Sequence, residues 1–210
     1  MLIVTFVAIT AGCIILYIAI RERYPGNDPM LFYRDGSRFV YTSTADFEGE
    51  ELEILTISKT SKIKSVSWGT LLRIEWETQI HRNGQLLSRR QFEDRPPVAY
   101  VVRNSRGTWF TNDVGDSGAS GMIQSGRLKV GKSWSFQQSP NVAKVKLTVE
   151  AEEDITVPAG TFHVFRVVGK SEELEMGIEW IAPELGTIKR QTGPPDHPHI
   201  TVLKEYSAGS

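Results

Sequence analysis

The pattern of apolar and polar positions changes once, near residue 20. Residues 1–20 (MLIVTFVAITAGCIILYIAI) form an apolar run without a charge, a proline or an amide side chain. As a helix rising about 1.5 Å per residue they cover roughly 30 Å, the hydrocarbon thickness of a bilayer. The run predicts a single transmembrane helix, with Leu2, Ile3, Phe6, Ile14, Ile15, Leu16, Ile18 and Ile20 as anchoring side chains, in a segment spanning 1–24. Beyond residue 31 the period is two. Leu72, Ile74, Trp76, Thr78 and Ile80 alternate with Arg73, Glu75, Glu77 and Gln79, the mark of a half-buried strand. Val145, Leu147, Val149 and Ala151 alternate in the same way with Lys144, Lys146, Thr148 and Glu150, and Leu174, Met176, Ile178 and Trp180 with Glu173, Glu175 and Glu179. Less regular runs at 38–43, 52–59, 98–103, 162–168 and 201–206 predict further strands. No apolar pattern at i, i+3, i+4, i+7 is sustained after the anchor. The expected fold is mainly β: a curved antiparallel sheet, half-barrel or sandwich behind one membrane helix.

Turn signals organise these strands. Pro25-Gly26-Asn27-Asp28-Pro29 cannot continue a helix, so residues 25–30 read as a tether. Five such residues reach at most about 17 Å, which keeps the β domain, 31–210, close to the bilayer. Arg82-Asn83-Gly84-Gln85 predicts a hairpin leading into a strand at 86–92, and Pro158-Ala159-Gly160 predicts another. Gly36-Ser37-Arg38-Phe39-Val40-Tyr41 echoes Gly131-Lys132-Ser133-Trp134-Ser135-Phe136, and Gly107-Thr108-Trp109 echoes Gly186-Thr187-Ile188 more weakly. Hairpin grammar and a duplicated β unit both account for the echoes. If there are two halves, 31–111 and 128–210, the Gly-, Ser- and Asp-rich stretch 112–126 divides them.

Composition narrows the partners. Lys and Arg total 24 against 25 for Asp and Glu, a net charge of -1, without the basic face that phosphate neutralisation requires, so no nucleic-acid partner is expected. The one cysteine, Cys13, lies in the apolar run, leaving the β domain no thiol for a disulfide, a zinc site or a nucleophile. Three readings of the run stand side by side. A cleaved signal peptide lacks its basic leader here. Thr10-Ala11-Gly12-Cys13 looks like a lipobox, which would make Cys13 a lipidation site, yet apolar residues continue to Ile20. An uncleaved helix ending at Arg21, Glu22, Arg23 and the interfacial Tyr24 accounts for the whole run. The arginines, by the positive-inside rule, favour a cytoplasmic domain.

Three segments in order, Leu128-Lys129-Val130-Gly131-Lys132-Ser133-Trp134, Val157-Pro158-Ala159-Gly160-Thr161-Phe162 and Ala182-Pro183-Glu184-Leu185-Gly186-Thr187-Ile188-Lys189, carry a resemblance. The chain is similar in these motifs to exported domains of the bacterial envelope, lipoproteins or anchored periplasmic domains. Residues 31–41 resemble the opening of that pattern, with Phe39 where a tryptophan stands. The resemblance implies curved antiparallel sheets of lipoprotein-carrier type and a periplasmic domain. It implies no reaction.

Candidate chemistry is sparse. Gly115-Asp116-Ser117-Gly118 spells a serine-protease nucleophile signature, but the only histidine before it, His81, sits beside a hairpin turn. Asp196-His197-Pro198-His199 is the metal candidate, because residues two apart on an extended segment point the same way; His197 and His199 would need further ligands, with His163 one source. The acidic runs 48–53, 150–154 and 172–175 lack calcium-loop spacing and read as wet strand faces. Trp68, Trp76, Trp109, Trp134 and Trp180 read as core, with an apolar ligand groove as the alternative. No cofactor and no catalytic residue are expected. The function these features predict is a non-catalytic accessory or scaffolding subunit, bound to the bilayer through 1–24 and to an integral-membrane complex, respiratory and photosynthetic assemblies among the candidates. The alternative is a periplasmic carrier or binding module for a lipid, a lipoprotein or another apolar ligand.

Overall fold

The computed structural model describes residues 34–67, 69–90, 98–104, 107–111, 121–125, 127–136, 144–171, 174–183, 185–194 and 196–209. The apolar run, Cys13 and the tether lie outside the described residues, as do Trp68 and Gly115-Asp116-Ser117-Gly118. Among the described residues no helix is long and apolar enough to cross a membrane.

The described residues form one antiparallel sheet of thirteen strands. In chain order these are β1 (Arg38–Phe47), β2 (Glu50–Val66), β3 (Gly69–Arg82), β4 (Gln85–Arg90), β5 (Val98–Asn104), β6 (Gly107–Thr111), β7 (Gly121–Ser125), β8 (Ser133–Phe136), β9 (Val145–Val157), β10 (Gly160–Ser171), β11 (Leu174–Ala182), β12 (Gly186–Thr192) and β13 (His199–Ser207). The order across the sheet is β7-β6-β5-β3-β2-β1-β13-β12-β11-β10-β9-β8, with β4 off that path beside β3. Two meanders therefore meet where the first strand pairs with the last, Arg38 opposite Ser207 and Thr42 opposite Val202. β4 and β5 follow one another along the same edge of β3, Arg90 opposite Thr78 and Val98 opposite Glu75. The stretch 112–126, expected as a boundary, contains β7, whose Met122 pairs with Trp109 of β6. Gly, Ser and Asp there disguise a short strand.

The core requires the sheet to curl. One buried cluster joins Leu72, Ile74 and Val101 of β3 and β5 to Val149, Val167 and Ile181 of β9, β10 and β11, with Leu128 between them and Trp76 and Trp134 packed against it. β3 and β11 are five steps apart along the sheet, about 24 Å if it were flat at the usual strand spacing. Only an open sheet curved back on itself brings those side chains into contact. The second cluster gathers Phe39, Val157, Val164, Trp180, Ile188 and Leu203 around the β1–β13 seam. On β10, Phe162 and Val164 join the second cluster while Phe165 and Val167 join the first, so that strand is covered on both faces. Each fully buried aliphatic side chain contributes about 1.5–3 kcal/mol.

Bulges set the bends. The β9–β10 register shifts so that Val149 faces Val167 and Ala151 faces Arg166, leaving Glu150 as the extra residue. The hairpin then bends enough for its tip to reach the seam, where the Ala159 N–H donates to the Leu203 carbonyl at 3.2 Å. Ile63 on β2 and Leu87 on β4 are the extra residues of two other bulges.

Candidate interaction surface

Two hairpins end side by side at one end of the sheet. In the first, Glu48 and Gly49 have φ of 55° and 80°; in the second, Asn83 and Gly84 have 49° and 77°. Two successive left-handed residues are what a two-residue hairpin turn of matching twist needs. The Gly49 N–H donates to Asp46 Oδ1 at 3.1 Å, and Arg82 Nε lies 2.7 Å from Glu50 Oε2, tying one hairpin to the other. Beside this tie Phe47 is 57% exposed, Leu86 47% and Leu87 48%. Leu87 points outward because it is the bulged residue, between Ser88 opposite Ile80 and Leu86 opposite His81. Large apolar groups held in water by a defined backbone make this end of the sheet a candidate for contact. The sequence carried a signal for this surface that alternation alone passes over: the doublet Leu86-Leu87 breaks the period of two, so one leucine must leave the inner face.

Polar side chains cluster instead on the β9–β10 hairpin. His163 is hydrogen-bonded on both sides, Nδ1 with Asp154 Oδ1 and Nε2 with Glu152 Oε1, each at 2.7 Å. These bonds, that to Glu152 foremost and then that to Asp154, raise the imidazole pKa above its ordinary 6.5. On the opposite face Trp180 Nε1 donates to Glu153 Oε1 at 2.8 Å, and Lys189 Nζ lies 4.5 Å from the centre of the Trp180 ring. Arg166 reaches Glu150 at 3.2 Å. Across the seam, Lys204 on β13 donates to Glu53 on β2 at 2.6 Å, and Thr42 on β1 donates to the same oxygen at 3.0 Å. Lys204 is the main reason the Glu53 carboxyl sits below its ordinary pKa, with the Thr42 bond assisting against some desolvation. These groups join strands to one another.

The other singled-out residues fall as follows. His197 is exposed, 3.9 Å from Asp196, and His199 opens β13, also exposed. His163 is held by Glu152 and Asp154, and among the described residues no group of three or more His, Cys, Asp or Glu is placed to hold a metal. His81 Nε2 lies 3.2 Å from Gln79 Oε1. Trp180 is buried in the second cluster, whereas Trp76 and Trp134 pack against the first; the Trp109 side chain is outside the described set. The acidic residues 150–154 line wet strand faces as ion-pair partners. An aromatic row crosses the seam: Phe39 stacks on Tyr206 at 6.0 Å and Phe162 meets Tyr206 edge-on at 6.3 Å.

No protein-family model and no curated protein sequence matches the chain. Two solved structures are similar to it. One is a predicted lipoprotein from Parabacteroides distasonis, 12% identical, covering 86% of this chain and 100% of its own, with a TM-score of 0.43. The other is a predicted exported protein with a YmcC-like fold from Bacteroides fragilis, 11% identical, covering 86% of this chain and 98% of its own, with a TM-score of 0.45.

Proposed function

We propose that the protein is a non-catalytic scaffolding or accessory subunit of the bacterial envelope, held at a bilayer by residues 1–24. Its curved sheet offers the paired hairpin ends to an integral-membrane partner. The observation that carries this reading is the contrast between interior and end. Tryptophans and branched aliphatics of the described sheet pack on one another, whereas Phe47, Leu86 and Leu87 remain about half exposed on turns of fixed geometry. A partner's apolar surface would cover them. In mild detergent the full chain is expected to co-purify with an integral-membrane complex, and Phe47→Ser with Leu86→Ser and Leu87→Ser to lower recovery of that complex at least tenfold while the chain stays in the membrane fraction. Recovery unchanged by the triple substitution would sink the docking surface. A mature chain found in solution, starting after Tyr24, would sink the anchor.

A carrier for an apolar ligand is the second reading. Tyr206, 43% exposed between Phe39 and Phe162 in the aromatic row, is the observation that favours it. Organic extraction of the purified chain would then release a lipid in stoichiometric amount.

A further inference from the structure

The β2–β3 hairpin has a basic outer end that the function above does not use. β1 pairs with β2 only as far as Lys59, opposite Arg38. Beyond it the edge of β2 is met by the first described residues: the Thr60 N–H donates to the Ser37 carbonyl at 2.9 Å, and the Lys62 N–H to Asp35 Oδ1 at 2.8 Å. Asp35 and Ser37 therefore lie beside this end. Lys59, Lys62 and Lys64 are all exposed, and none makes an ion pair with a described residue. Of the neighbouring carboxylates, Glu75 is engaged by Arg73 at 2.8 Å and Glu205 by Arg38 at 2.7 Å, while Asp35 accepts a backbone N–H and keeps its charge beside Lys62. What remains is three ammonium groups against the one carboxylate of Asp35, a net surplus of two positive charges.

Between Lys62 and Lys64 the register slips and Ile63 is extruded, 39% exposed. Beside them an open hollow of about 480 Å³ is lined by Arg38, Lys59, Ser61, Glu75 and Ser207, two cations and two hydroxyls with one carboxylate among them. Protection of an open strand edge accounts for the lysines and for the bulge. It does not account for an isoleucine turned outward between them. Cations flanking a projecting aliphatic group suit a surface that is anionic outside and apolar just beneath.

We propose that this end of the sheet, Lys59, Lys62 and Lys64 around Ile63, binds the anionic phospholipid headgroups of the bilayer that carries the chain. The inference rests on the anchored reading above, and distance permits it. The ten residues from Tyr24 to Arg34 reach at most about 34 Å. With each net positive charge near an anionic surface contributing roughly a factor of five, the surplus of two favours contact by about twenty-five-fold.

The test uses the full chain in vesicles of phosphatidylcholine alone or mixed with phosphatidylglycerol. A fluorophore sensitive to polarity is placed at Ile63→Cys in a Cys13→Ala background, with Leu87→Cys at the far end as control. The expected result is a blue-shifted emission quenched by headgroup nitroxide lipid at position 63 only, in phosphatidylglycerol vesicles only. Molar salt and Lys59→Glu with Lys62→Glu and Lys64→Glu should each abolish it. A chain retained by both vesicles whose label at 63 stays in water, or is quenched equally without anionic lipid or after charge reversal, overturns the inference and leaves the anchor standing. A chain retained only by phosphatidylglycerol vesicles overturns the anchor and supports the headgroup site. A chain retained by neither overturns both.

Discussion

His163 shows how a residue can be paired twice and still contribute little. Both ring nitrogens meet carboxylates at 2.7 Å, yet the side chain is 57% exposed and solvent screens the pair. Because the folded-state pKa is raised, its stabilisation is complete below the unfolded value near 6.5 and is lost as pH climbs through the folded value. An NMR titration should place the His163 midpoint above 6.5, and Glu152→Gln should lower it more than Asp154→Asn, since the Glu152 bond is the larger cause. Glu53 has the opposite sense: its depressed pKa gives stability present above the ordinary carboxyl pKa and lost as pH falls through the folded value. Gly177 is a sharper point of constraint. With φ at 152° a side chain there is strained, and a Cβ would stand 2.7 Å from the Gln191 carbonyl oxygen on β12. Gly177→Ala should cost about 2–4 kcal/mol and lower Tm by several degrees, whereas Gly49→Asn should be nearly neutral. Nothing lies within 4 Å of a Cβ at Gly49, and asparagine tolerates its left-handed φ of 80°.

Among elements, the hairpin β9–β10 depends on one inserted residue. If the Glu150 bulge supplies the bend, deleting Glu150 should straighten the hairpin, break the Ala159–Leu203 bond and speed amide exchange at Ala159 at least tenfold. Glu150→Ala removes only the contact with Arg166 and should leave that exchange slow. Equal exchange in the two variants would show that the bend has another cause. Elements of this kind divide into those a sequence displays and those it conceals. β3, β9 and β11 are legible because each has one wet face, so charges alternate with branched or aromatic residues over many positions. Asn83-Gly84 is legible because two left-handed residues in succession select those types. β7, Gly-Met-Ile-Gln-Ser, is concealed: it is five residues long and set among turn formers. Bulges are concealed too, since Ile63 and Leu87 look like core residues until the register places them outside. The hairpin end shows in the sequence only as the doublet Leu86-Leu87, and the basic edge is concealed because Lys59, Lys62 and Lys64 resemble any solvated strand face.

At the scale of the whole molecule, no local pattern announces that β1 lies beside β13, because that pairing follows from closure of two meanders and not from either strand. Its consequence is that the last described strand is structurally central. β13 covers one edge each of β1 and β12, supplies the fully buried Leu203, and receives the tip of β9–β10. Removing 199–210 exposes two long strand edges and opens the cluster around Phe39 and Val164. Such a chain should lose cooperative unfolding and aggregate, while Glu53→Gln, which removes only the exposed tie to Lys204, should stay within about 1 kcal/mol of the parent. Leu203→Ala tests the same centre without truncation: a buried leucine replaced by alanine costs about 2–5 kcal/mol, and denaturant melts should show that loss with an unchanged slope. A cost under about 1 kcal/mol would mean that each meander is stable without the other. The seam would then be a contact between two independent units and not the centre of one sheet.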